Sequence, residues 1–413
     1  MCALLVAEHL SVSWQGSSYP ARPIAGGAGF ELLSLQPGPG WHPNPETDPY
    51  PYRRFVHASE LDQLSGPAPT PPDPPMLAPL SASVTRDTVQ QLSQSTPERD
   101  SERALLRTIH DSAAIRCGTR MVKPLNSELV AAYLSGRALI RGLCYRQHDV
   151  AHLRTPMQLA ALGVVEPFAD VSYVLRWRAV APVDYTAAWG DHFPGLLRMP
   201  ASHRIGPPIL GTGFSYSRDQ LIPEYVTADL DDLPLPVHTE ILAYLPDGTE
   251  IVLFRYLAEH MWARVAPRRL TAILNRIPDV DPHQEYHPIR VAHASRLVGT
   301  YAGRDVEVDA DPPAEFRARA SRRGDRHPVD SLVRRAARAR VAGHDVVVLA
   351  ADRGHVRVRA CRPGPELVFQ HGMRCVERGV YEAWIPAAEL IDPYEIEVEY
   401  DLPAPHEQAS ATD

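Results

Sequence analysis

An arginine in an apolar stretch, two serines two residues apart, and a downstream glutamate are the residues of this chain from which chemistry could be built. Arg141 stands in Leu139-Ile140-Arg141-Gly142-Leu143, and residues 138–143 read as a strand. A guanidinium there costs desolvation unless it meets an anion or a carboxylate. Ser215 and Ser217 stand in Gly213-Phe214-Ser215-Tyr216-Ser217-Arg218-Asp219. Two apart on a strand, they share one face. The acidic residues that follow are Glu240, Glu250, Glu259 and Glu285. The competing readings are a structural salt bridge for Arg141 and a solvated strand face for the serines.

The order of arginine, Ser-x-Ser and glutamate resembles the arginine–serine–glutamate class of ADP-ribosyltransferases, over residues 137–290. The resemblance implies NAD as substrate. Arg141 would bind NAD phosphate and ribose, with Ser215 bracing the site and Ser217 beside it on the cofactor face. A glutamate would bond the nicotinamide-ribose hydroxyl and stabilise an oxocarbenium-like transition state. The catalytic residue implied is Glu259, after Phe254-Arg255-Tyr256-Leu257-Ala258, or Glu285, in Gln284-Glu285. Two departures stand out. Tyr216 replaces the threonine of the family's Ser-Thr-Ser, and the Glu/Gln-x-Glu turn has no clear counterpart.

Other constellations are weaker. Cys144 and His148 would share a face only on a helix, and their stretch reads as strand or loop. His148, Asp149 and His152 lack a fourth ligand at suitable spacing, so no metal site is expected. Asp229, Asp231 and Asp232 read as a solvated loop. His283-Gln284-Glu285-Tyr286-His287 reads as a linker at the end of a domain. The arginines between Arg317 and Arg340 could contact phosphates or an acidic partner, without interleaved aromatic residues for base stacking; the competing reading is a solvated arginine-rich face in a lysine-poor chain. No Gly-x-Gly-x-x-Gly or P-loop motif is present.

These residues must be positioned by a central mixed α/β domain over 99–280. A helix is expected over 102–115. A second starts at Asn126-Ser127-Glu128 and ends at Gly136. Thr155-Pro156 opens a third, closed by Gly163. Residues 170–177 alternate as a strand, 239–256 read as a hairpin around Pro246-Asp247-Gly248, and 264–277 read as an amphipathic helix.

Small β modules flank this domain. Phe55-Val56-His57-Ala58-Ser59-Glu60-Leu61 and Trp384-Ile385-Pro386-Ala387-Ala388-Glu389-Leu390 follow one pattern: aromatic, β-branched, any, Ala, small, Glu, Leu. Ala302-Gly303-Arg304-Asp305-Val306 and Ala342-Gly343-His344-Asp345-Val346 match at four of five positions, as Gly-containing turns between strands would. The expected organisation is a β module at 1–66, a Pro-rich linker at 67–98 and the central domain at 99–280. Two more modules follow, at 288–335 and at 336–400, the latter resembling the first. A tail runs over 401–413. The fold class is α+β. The modules loosely resemble β domains associated with actinobacterial toxin systems, which implies an immunity or accessory role with a protein partner.

Composition narrows the classes. At 413 residues the chain exceeds one ordinary core. A formal net charge of −8 argues against nonspecific nucleic-acid binding. Lys123 is the only lysine among 42 basic residues, a bias that suggests a GC-rich, actinobacterial genome. The N-terminus lacks a signal-peptide pattern and no stretch approaches a membrane span. Five scattered cysteines read as reduced thiols in the cytoplasm. Two functions remain: an interaction protein that needs no cofactor, or an NAD-consuming enzyme.

Overall fold

The computed structural model describes residues 10–24, 29–38, 41–43, 50–57, 61–64, 104, 106–107, 110, 113–162, 170–200, 213–217, 220–258, 260–289, 295–312, 315–318 and 327–402. Strands dominate and helices are few, giving an α+β chain built from antiparallel sheets. The expected linker at 67–98, half of the helix expected at 102–115 and nearly all of the tail lie outside the described residues. Among the described residues no helix is long and apolar enough to cross a membrane.

The N-terminal module is one sheet of β1 (Leu10–Trp14), β2 (Ser17–Ile24), β3 (Gly29–Ser34), β4 (His42–Pro43), β5 (Tyr52–His57) and β6 (Gln63–Leu64), in the order β4-β5-β3-β2-β1-β6. Val12 and Trp14 alternate inward on β1 and pack with Ala21, Phe30, Leu32 and Val56. The β1–β2 turn places Gln15 and Gly16 at φ 50° and 74°, matching the twist of the hairpin.

The central domain carries β7 (Arg120–Leu125), α1 (Ser127–Leu134), β8 (Leu143–Arg146), β9 (Ser172–Arg178), β10 (Tyr185–Ala187), β11 (Phe214–Ser217), β12 (Gln220–Pro223), β13 (Tyr225–Thr227), β14 (Glu240–Tyr244), β15 (Glu250–Leu257), β16 (Met261–Arg264) and β17 (Tyr286–Pro288). Its nine-stranded sheet runs β10-β13-β8-β7-β9-β14-β15-β16-β17, and β11-β12 is a separate hairpin. Asn126 caps α1 by accepting from the Leu129 N–H at 2.8 Å, and Gly136 beyond the helix sits at φ 74°. Alternation on β7 and β9 divides the sheet between two cores. Met121, Leu175 and Trp177 face one with α1, and Val122 and Val174 face the other.

Three expected elements differ, the first being the strand at 138–143, where Ile140 makes one isolated bridge and β8 starts only at Leu143. The helix at 264–277 is instead the end of β16, a 3₁₀ turn at Arg268–Leu270 and one helical turn at Thr271–Leu274. Pro267 is the reason: it lacks an N–H and biases the residue before it away from helix. The linker at His283–His287 is instead the approach to β17, which pairs with β16 and closes the sheet.

The C-terminal region is β18 (Ser295–Tyr301), β19 (Arg304–Asp311), β20 (Glu315–Ala318), β21 (His327–Pro328), β22 (Ser331–Val341), β23 (His344–Asp352), β24 (His355–Ala360), α2 (Pro365–Gln370), β25 (Arg374–Glu377), β26 (Val380–Pro386) and β27 (Ile391–Glu399). These strands form a single ten-stranded sheet. Its segment β25-β26-β24-β23-β22, with β27 on β22, has the strand order of the N-terminal module, strand for strand. The Phe55 box begins on β5 and the Trp384 box on β26, each at the end of the fifth strand. The boundary expected between 335 and 336 falls inside β22. The first half of this long strand pairs with β18, its second half with β23, and its other edge with β27.

Candidate functional site

Arg141 does not lie on a strand. Ile140 makes one isolated bridge to Leu233, and β8 starts only at Leu143. Gly142 interrupts the stretch at φ 62°, and a Cβ there would lie 2.8 Å from Val380 Cγ2. The Arg141 side chain is 4% exposed. Its Nε lies 2.5 Å from Glu377 Oε1 and its Nη1 3.2 Å from Glu382 Oε1. Lys123 Nζ donates to the carbonyls of Arg141 (2.7 Å) and Leu143 (3.2 Å) and pairs with Glu377. Arg359 continues the chain of charges, to Glu382 at 2.8 Å and to Asp232 at 2.6 Å, and Arg357 also pairs with Glu382.

This network joins the central domain to the C-terminal sheet. Burial alone would raise the Glu377 carboxyl, but Lys123 and Arg141 outweigh it and hold it below its usual range. The same balance holds Glu382 down to about 2, where burial is overcome by Arg141, Arg359 and Arg357. Burial likewise opposes the Arg141 charge, and Glu377, Glu382 and Asp232 more than restore it, raising its pKa.

A second cluster crosses the same seam. Arg334 lies 3.1 Å from both Asp184 and Asp231, Arg338 lies 2.8 Å from Asp231, and Tyr400 donates to Asp184 at 2.5 Å. Asp231 and Asp232 are therefore buried ion-pair partners rather than part of a solvated loop, and only Asp229 is exposed. Arg334 and Arg338 likewise leave the solvated arginine face expected for their stretch. On β22 they alternate inward, while Arg335 faces out to Glu397 and Asp305.

Ser215 lies on β11, 1% exposed, and donates to Glu224, a residue that sequence reasoning did not select. Tyr145 donates to the same carboxylate oxygen at 3.1 Å and lies 3.3 Å from Ser215 Oγ. The pairing of β8 with β13, Cys144 opposite Tyr225, brings Tyr145 and Glu224 together. Burial raises the Glu224 pKa to about 7, against the opposing pull of Arg378, Ser215 and Tyr145. Glu224 Oε2 has no hydrogen-bond partner among the described residues. An acid poised near neutrality and held by two hydroxyls could donate or accept a proton. No motif marks it: Glu224 sits between a hairpin and a three-residue strand.

The remaining candidates separate. Ser217 ends β11, and its side chain lies outside the described residues. Glu259 also lies outside them. Glu285 is exposed beside β17, with Arg264 Nη2 3.7 Å from its carboxylate. In strand order β17 is six places from β8. Cys144 is buried and its thiol is pushed up to about 12 by burial, the state opposite to that of an activated nucleophile. Among the described residues no group of three or more His, Cys, Asp or Glu side chains could hold a metal ion.

The C-terminal sheet presents apolar side chains outward. Trp384 on β26 is 52% exposed, Ile391 and Tyr394 on the edge strand β27 are 52% and 44% exposed, and Phe369 on α2 is 74% exposed. Comparison with known proteins finds nothing similar: no family model, no curated protein and no solved structure matches this chain.

Proposed function

We propose that the chain is a multi-module interaction protein, an immunity or accessory protein of an actinobacterial toxin system, working in the cytoplasm. The single observation that carries the reading is the repeated strand order of β1–β6 and β22–β27, with apolar side chains turned outward on the C-terminal copy. A repeated sheet presenting Trp384, Ile391 and Tyr394 suits capture of a protein partner, since exposed aromatic side chains are common anchors of interfaces. The inner charges support the same reading, because Arg141, Lys123 and Arg359 are already matched by carboxylates of the chain itself. The cytoplasmic assignment rests on the free thiols of Cys117, Cys144, Cys361 and Cys375.

The test is native mass spectrometry of the full chain purified from its host. A stoichiometric protein partner, lost in a Trp384→Ala/Tyr394→Ala variant of unchanged melting temperature, is the expected result. A clean monomer, or a partner retained by that variant, overturns the reading.

A second reading keeps the central domain as an NAD-consuming enzyme. What favours it is the hydrogen bond of Ser215 to a glutamate poised near neutral pH. Against it stands the Arg141 guanidinium, covered by Glu377 and Glu382. Nicotinamide release from NAD, present in the wild type and lost in Glu224→Gln, would establish this reading. No release, with or without lysate as acceptor, removes it.

A further inference from the structure

The central sheet carries positive charge that its surroundings do not neutralise. β9 ends in Arg176-Trp177-Arg178, so its two arginines lie on one face. The register sets Arg178 beside Arg120 of β7 and Arg176 beside Glu240 of β14, which in turn lies beside Arg255 of β15. Arg176 is held by Glu240 at 2.6 Å and Glu250 at 2.7 Å, and Arg255 is held by Glu240 at 2.8 Å. Arg120 and Arg178 are different. Both are exposed, and among the described residues neither has a carboxylate within ion-pair distance. Among the described residues the Arg178 guanidinium donates to the carbonyl of Gly118, at 3.3 Å. Like charges opposite one another across a strand pair destabilise it, so the Arg120–Arg178 pair costs the sheet stability that a bound anion would restore.

These guanidiniums line a cavity of about 450 Å³ between the sheet and Pro312, beyond the end of β19. His238, exposed at the rim, adopts φ 67°, a left-handed conformation uncommon outside glycine. Its N–H donates to Tyr256 O at 2.9 Å, which holds it in that geometry. The volume is that of a small-molecule site. Planar guanidinium forks match phosphate oxygens in pairs. Trp177 is only 2% exposed and offers no face for base stacking, so a nucleic-acid strand fits poorly.

We infer that this cleft binds a small phosphorylated compound with a diphosphate or two adjacent phosphates, forked by Arg120 and Arg178. Arg176 and Arg255, tied down by Glu240, shape the floor and fix the spacing. The inference is independent of either reading of function, because it concerns binding without turnover.

The experiment is isothermal titration of inorganic pyrophosphate into the full chain, with a mixed-sequence single-stranded oligonucleotide as a second titrant. Pyrophosphate should bind the wild type. Arg120→Gln and Arg178→Gln should each weaken binding about tenfold or more, and the double variant should abolish it. Arg178→Lys, which keeps the charge but not the fork, should fall between. Arg198→Gln, on an exposed pair with Glu366, should change nothing. Thermal melts keep loss of binding distinct from loss of fold, and Arg178→Lys retains the test if the double variant melts early. Absence of pyrophosphate binding in the wild type, or undiminished binding in the folded double variant, overturns the inference. So does tighter binding of the oligonucleotide that fails in the same variants.

Discussion

Glu224 has no exposed surface, and burial lifts its pKa from the usual 4.5 to about 7. The folded state therefore holds the proton more tightly than the unfolded state. Its contribution to stability is full below about pH 4.5 and is lost as pH rises through about 7. At about 1.4 kcal/mol per pKa unit the loss is on the order of 3 kcal/mol. The melting temperature of Glu224→Gln relative to the wild type should therefore rise from pH 5 to pH 8; a constant difference would refute the assignment. Glu382 has the opposite sign. Its pKa is held down to about 2, so its contribution is present above about pH 4.5 and fades as pH falls through about 2. Glu382→Gln takes from Arg141, Arg357 and Arg359 the carboxylate they share, leaving Arg141 to Glu377 and Arg359 to Asp232. Urea unfolding at pH 7 should show a cost of about 3–5 kcal/mol that shrinks as the pH approaches 2. Neither glutamate belongs to a recognisable motif, since each depends on a partner distant in sequence, Tyr145 for Glu224 and Arg141 for Glu382.

At the scale of elements, the hairpin turns are the most regular feature. Gln15-Gly16, Ala302-Gly303, Ala342-Gly343 and Arg353-Gly354 all place both residues at positive φ. This is the turn whose twist suits a tight antiparallel pair, and it favours Asn-Gly. Alanine is costly there because its Cβ crowds the following carbonyl. Ala302→Asn and Ala342→Asn should each stabilise the protein by about 0.5–1 kcal/mol, read from denaturant midpoints. Gly142 gives the reverse case. Glycine→alanine there meets both a positive φ and Val380, and should cost about 1–3 kcal/mol. These turns, the cap of α1 and the hairpin at 239–256 were legible because each depends on neighbours in sequence. At 264–277 the apolar spacing favours a helix, but Pro267 and the pairing of β16 with β15 override it.

For the whole molecule, one core spans the seam. Val122, Val174 and Leu242 of the central sheet pack in the same apolar cluster as Val346, Val358 and Ile385 of the C-terminal sheet. Two buried ion-pair networks cross the same boundary. The central domain and the C-terminal sheet should therefore unfold together. A probe placed on the central sheet and a probe placed on the C-terminal sheet should report one midpoint. Two separated midpoints would show that the seam is not part of a common cooperative unit.

Local patterning by itself determined the α+β class, the alternating strands, the Gly-containing turns and the likeness of the two end boxes, because each is written in residues a few positions apart. Only the tertiary structure decided the fate of the charges. Arg141 meets Glu377 across 236 residues, and Asp232 meets Arg359 across 127. Whether a guanidinium awaits a ligand or is already matched depends on which carboxylate the fold brings to it. That is set by strand order and sheet packing, which no local spacing encodes. By the same logic the tertiary structure left Arg120 and Arg178 side by side on adjacent strands without a carboxylate among the described residues.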